Sequence, residues 1–156
     1  MILKIKNYRQ EIKILIPISN FIDKEKLIEA LSILPKDNLT VTLFHVIEIP
    51  SMTLPIDSST FRKEIEKAKT KFSTIVDWLN SQDFNAELKV VISRSAEDGI
   101  IEEANSSGCT IILMMKRRIR GKFHKIFHKS KTEKVIRDTG CIALILLIDE
   151  KKSLHF

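Results

Sequence analysis

Five short apolar runs recur along the chain, each parted from the next by a stretch with helical spacing. They are residues 11–18 (EIKILIPI), 39–47 (LTVTLFHVI), 85–93 (NAELKVVIS), 109–115 (CTIILMM) and 141–148 (CIALILLI). Runs this short, rich in β-branched residues, read as strands, and near-continuous apolarity marks a strand covered on both faces. Between the first two, Leu27, Ile28, Leu31 and Leu34 keep helical spacing over residues 23–34, and Pro35 closes the element. After a loop over residues 50–59 that ends in Asp57, Ser58 and Ser59, a long helix is expected over about residues 60–80. Its apolar positions Phe61, Ile65, Ala68, Phe72, Ile75, Val76 and Leu79 recur every three or four residues, and Trp78 fits the same inner face. A third helix opens with Ser95 as cap and Asp98 three residues on, and Gly108 stands where a helix exit is expected. A last helix is expected over residues 126–138, with Gly140 after it.

Strands alternating with helices imply an α/β fold: an open five-stranded parallel sheet with right-handed crossovers and helices on both faces. The 156 residues suit one domain, with a core over about residues 10–149 and short tails, and no tandem repeat or low-complexity tract interrupts it. With 44% apolar and 29% charged residues, the composition is that of an ordinary globular protein.

The charge is uneven. The net +6 hides a segment, residues 116–134, in which nine basic residues face Glu133 alone, a local +8, so the rest of the chain carries −2. A localised field of that kind attracts an anion or a polyanion. No apolar run approaches the roughly 18 residues that span a bilayer, and residues 1–10 lack the apolar centre of a signal peptide, so a cytoplasmic location is expected. Cys109 and Cys141 are too few for a disulfide framework or a four-ligand zinc site, and both read as structural thiols, each beginning a strand. His124 and His128 are four apart on one helical face, but flanking Lys125 and Lys129 would repel a metal ion. His45 reads as a hydrogen-bonded strand residue. Neither a Ser-His-Asp arrangement nor a Walker loop is present, so catalysis is not expected.

KILIPIS at residues 13–19, VTLFHVIE at 41–48, GCTIILMM at 108–115 and KSKTEKVIRDTGCIALIL at 129–146 together resemble the universal stress protein family across nearly the whole chain. The resemblance implies a Rossmann-like sheet of the adenine nucleotide alpha hydrolase type, with strand order 3-2-1-4-5. Its switch point then lies between the first and fourth strands, where open parallel sheets bind ligands. Many members hold ATP there through Gly, two residues, Gly, nine residues, Gly-Ser/Thr, with an Asp after the first strand. Such glycines let backbone N–H groups approach phosphates. In this sequence the first glycine falls on Met115 or Lys116, the second on Arg118 or Ile119 and the third on Lys129; only Ser130 survives, and Ser19 stands for the Asp. The resemblance also implies a homodimer through the last strand, residues 142–148.

Three functions remain open. The first is a stress-response or regulatory binding protein without the standard ATP motif. The second is binding of ATP or another adenine nucleotide, with at most weak ATP hydrolysis by analogy with the family, Lys116, Arg118, Lys129 and Ser130 on phosphates, Pro17, Ser19 and Met115 at the crevice and Val46 near the base. The third is nucleic-acid or acidic-partner binding through residues 116–134, although no recognition-helix pattern is present and aromatic residues are 6% of the chain. Ile119, Phe123, Ile126 and Phe127 among basic residues also have the look of a membrane-surface helix, and a solvated loop is the plainest account.

Overall fold

Neighbouring residues in the central strands bury side chains in two separate cores, one on each face of the sheet. The computed structural model describes residues 10–49, 58–117, 131–148 and 154–155. In chain order the elements are β1 (Ile12–Pro17), β2 (Phe21–Ile22), α1 (Lys24–Ser32), a 3-10 turn (Lys36–Asn38), β3 (Leu39–Glu48) and α2 (Ser58–Ser81). They continue with β4 (Asn85–Ser93), α3 (Ala96–Ser106), β5 (Ile111–Arg117), α4 (Lys131–Asp138), β6 (Ile142–Ile148) and β7 (Leu154–His155). The main sheet has order β4-β3-β1-β5-β6, and every adjacent pair is parallel. Counting only its five strands, this is the expected 3-2-1-4-5.

Ile14, Ile16, Val41, Leu43 and Leu113 face α1 and α2, where Leu27, Leu31, Phe72, Ile75 and Leu79 are fully buried. Leu15, Phe44, Ile112 and Met114 face α3 and α4, meeting Ile100, Ala104 and Val135. Alternation with period two on the strands and three to four on the helices is the pattern that makes both layers close. Trp78 is half-buried against the first core, with Lys24 Nζ 5.0 Å from the centre of its ring.

Several boundaries differ from the sequence reading. The fourth main strand covers 111–117 rather than 109–115, because Gly108 turns the chain at φ +69° and the strand begins only after Thr110. Thr110 instead ties itself to β1: its N–H donates to the Lys13 carbonyl at 2.9 Å, and its hydroxyl accepts from Lys13 N–H at 3.2 Å. Cys109 and Cys141 therefore precede their strands instead of beginning them, and both are half-buried free thiols. Helix α2 begins at Ser58, two residues before the expected start. Part of the C-terminal tail is structured, since β7 pairs antiparallel with β2; two-residue strands carry no readable period. Of the helix expected over residues 126–138, the part from 131 is described. His124, His128 and most of the basic segment lie outside the described residues.

Candidate functional site

β3 and β4 lie to one side of β1, and β5 and β6 to the other. Connections that leave β1 and β5 in opposite directions open a crevice beyond their carboxyl ends. A cleft of about 400 Å³ occupies that place. Its β1 wall is Pro17, Ile18 and Ser19, its floor Phe44, Met114 and Ile100, and its far wall Val46, Met115 and Val135. Pro17 ends the strand, and Ile18 N–H still donates to the Phe44 carbonyl at 2.8 Å, which fixes where the chain turns away. His45 Nδ1 lies 3.0 Å from the Ile18 carbonyl oxygen, an acceptor only, so this nitrogen is the donor of the bond.

The polar end of the cleft is built from three elements. Glu48 ends β3, and its carboxylate accepts the Ala96 N–H at 2.7 Å, taking one of the free donors at the start of α3. Ser95 takes another, its hydroxyl accepting from Asp98 N–H at 3.1 Å. Lys131 opens α4 and reaches back, with Nζ 3.0 Å from Glu48 and 3.7 Å from Glu97. The Ala96 amide, and after it the Lys131 ammonium, hold the Glu48 carboxyl below the usual carboxylate value. The same contact with Glu48, helped by Glu97, raises Lys131 above an ordinary lysine. Glu97 Oε2 is buried and, among the described residues, accepts no hydrogen bond; Lys131 sits at ion-pair distance from it. Within this trio, two carboxylates on one ammonium sum to −1, and among the described residues Glu97 Oε2 is left without a donor.

Of the residues singled out in the sequence, Pro17, Ser19, Val46 and Met115 come together around this cleft. Lys116 is exposed on β5 and does not line it. Arg118, Lys129 and Ser130 lie outside the described residues. Glu48, Glu97 and Lys131 were missed, although Glu48 closes the run VTLFHVIE and Lys131 stood inside the basic segment. That segment is also less uniform than its composition suggests. Arg117 lays its guanidinium 4.4 Å over the Phe21 ring, and Lys134 Nζ pairs with Asp98 at 2.6 Å. Among the described residues, no group of three or more His, Cys, Asp or Glu is placed to hold a metal ion, and no helix is long and apolar enough to cross a membrane.

The model of the universal stress protein family matches residues 12–146. The chain belongs to the universal stress protein family. Solved structures share its fold at low sequence identity. A hypothetical protein, MJ0577, whose biochemical function was assigned from its structure, superposes with a TM-score of 0.70 at 23% identity, over 88% of this chain and 96% of its own. UspA from Lactobacillus plantarum gives 0.67 at 15%, over 88% and 98%. The universal stress protein from Archaeoglobus fulgidus, solved in complex with dAMP, gives 0.58 at 14%, over 86% and 96%. No curated protein matches the chain.

Proposed function

We propose that this universal stress protein is a regulatory binding protein whose switch-point cleft takes an adenine nucleotide without the family's glycine loop, Lys131 supplying the cation for phosphate. The observation that carries this reading is the cleft itself: an apolar floor at the carboxyl ends of β1, β3 and β5, ending at an ammonium shared by two carboxylates. An apolar slot suits a base, and a lysine replaces neutral amides as a stronger, charge-assisted phosphate donor. The dAMP bound by the Archaeoglobus relative supports the ligand class. Met115, which with Lys116 is one of the two residues that match the family's first glycine, fills wall space that a glycine leaves open, which disfavours a triphosphate in the usual pose.

Binding then resembles ion exchange: phosphate displaces the longer-range partner, Glu97, from Lys131, while Glu48 keeps the Ala96 amide. Calorimetric titration of the full chain with adenosine, AMP and ATP tests it. AMP is expected to bind more tightly than adenosine, and Lys131→Met to erase that advantage, a loss of about tenfold or ~1.4 kcal/mol. Glu97→Gln is expected to favour AMP while leaving adenosine unchanged. Absence of heat with all three ligands at millimolar concentration overturns the reading.

The protein acts as a homodimer through β6 in this proposal. Ile142, Ile145 and Leu147 are 62%, 48% and 43% exposed on this edge strand, which favours pairing with a second copy.

A further inference from the structure

At the amino-terminal end of the strands, opposite the cleft, the chain's two cysteines are neighbours. Ile142 N–H donates to the Thr110 carbonyl at 3.0 Å, which holds the residues just before β5 and β6 side by side. With Ile111 opposite Ile142 in the β5–β6 register, Cys109 and Cys141 are neighbours just before these strands, and each thiol donates to a backbone carbonyl: Ile111 at 3.1 Å for Cys109, Ala104 at 3.8 Å for Cys141. Both pack against the core beneath α3 and α4. Cys109 also forms part of the wall of a groove of about 240 Å³, lined by Lys13, Thr42, Lys89 and Glu103 among others, and Cys141 beside it is only half-buried, so a small polar oxidant reaches the pair from solvent.

We propose that Cys109 and Cys141 form a reversible intramolecular disulfide, a modification site closed by a peroxide-class oxidant and reopened by a thiol. In the first step, hydrogen peroxide transfers an oxygen atom to the Cys141 thiol, giving a sulfenic acid and one water. The Cys109 sulfur then bonds to the Cys141 sulfur and expels hydroxide, which takes the Cys109 proton and leaves as a second water. Two thiols are oxidised by two electrons, and one peroxide is reduced to two waters. Burial, reinforced by Cys141, pushes the Cys109 thiol up to about 12, which keeps it protonated at neutral pH. Cys109 is therefore a slow attacking thiol, and closure calls for sustained oxidative load. Closure cross-links a loop over residues 109–141, which contains β5 and α4 and with them Met115, Lys131 and Val135 of the cleft.

The test uses the full-length protein treated natively with hydrogen peroxide, then alkylated under denaturing conditions and digested for mass spectrometry. The expected result is a Cys109–Cys141 peptide pair in the monomeric chain, lighter by two hydrogens (about 2 Da), restored by dithiothreitol. The oxidised form should also melt several degrees higher, since the cross-link restricts the unfolded chain. Cys141→Ser, folded by circular dichroism, should show no internal cross-link. Two free thiols after treatment that oxidises exposed model thiols overturn the proposal, and so does a cross-link found only between chains.

Discussion

Glu48 organises the charges of the cleft, and its behaviour with pH follows from its partners. The folded carboxyl is held below its ordinary 4.5 by the Ala96 amide and then by Lys131. A depressed carboxyl contributes stability that is present above 4.5 and is lost as the pH falls through the folded value. Lys131 is raised above 10.5, chiefly by Glu48, so its contribution is full below 10.5 and is lost as the pH rises through the raised value. The bridge is therefore intact across the whole neutral range. With side chains 45% and 65% exposed, the pair is screened and worth under ~1 kcal/mol. In thermal melts against pH, Glu48→Gln is expected to lose less stability below 4.5 than the parent chain; identical acid limbs would show that the carboxylate is not held as described. None of this was legible in the sequence. The basic count over residues 116–134 was correct as arithmetic, but neutralisation depends on which acids a fold brings within 4 Å. Those acids, Glu48, Glu97 and Asp98, lie 83, 34 and 36 residues from Lys131, Lys131 and Lys134.

Helix α3 was the most readable element, because its signals are local. Ser95 and Asp98 mark its start, Gly108 follows its end, and all three positions behave as their chemistry requires. Replacing Ser95 with Ala is expected to cost about 1 kcal/mol, measured by urea denaturation, through the lost bond to Asp98 N–H. A cost near zero would mean that Glu48 alone suffices to satisfy this helix start. The inner face of α3 owes its closeness to Gly99, where a Cβ would meet Val46 Cγ2 at 3.0 Å and Ser93 Cβ at 3.1 Å. That approach brings Ala96 and Glu97 to the end of β3, and nothing in the spacing of Gly99 within a helix announces it. β5 was displaced by two residues for the reverse reason: Cys109 and Thr110 continue an apolar run, but Thr110 is claimed by Lys13 on β1. Hydrophobic periodicity locates an element better than its ends, which hydrogen bonds to distant residues decide.

At the scale of the molecule, β6 carries the consequence. It is the edge of the sheet, it pairs only with β5 among the described residues, and its side chains are exposed on both faces, with Ile142 and Leu144 on one and Ile145 and Leu147 on the other. Lys26 Nζ donates to the Leu147 carbonyl at 2.6 Å, so one carbonyl near the end of the strand already has a partner. In light scattering after gel filtration, the parent chain is expected to run as a dimer and Ile145→Lys as a monomer with the same circular dichroism. A monomeric parent would remove the dimer from the proposed function. The sequence by itself determined the alternation of strand and helix and the two-sided burial, and through the universal handedness of parallel crossovers it implied a doubly covered sheet; the resemblance supplied the strand order, and with it the crevice. Those properties follow from spacings of two and three to four residues, which are written locally in the chain. Only the tertiary structure decided that Glu48, Glu97 and Lys131 share one end of that crevice and that Cys109 and Cys141 are neighbours at the opposite, amino-terminal end of the strands. Contacts of that kind join residues tens of positions apart, and their energy depends on distance and burial, which a one-dimensional pattern does not contain.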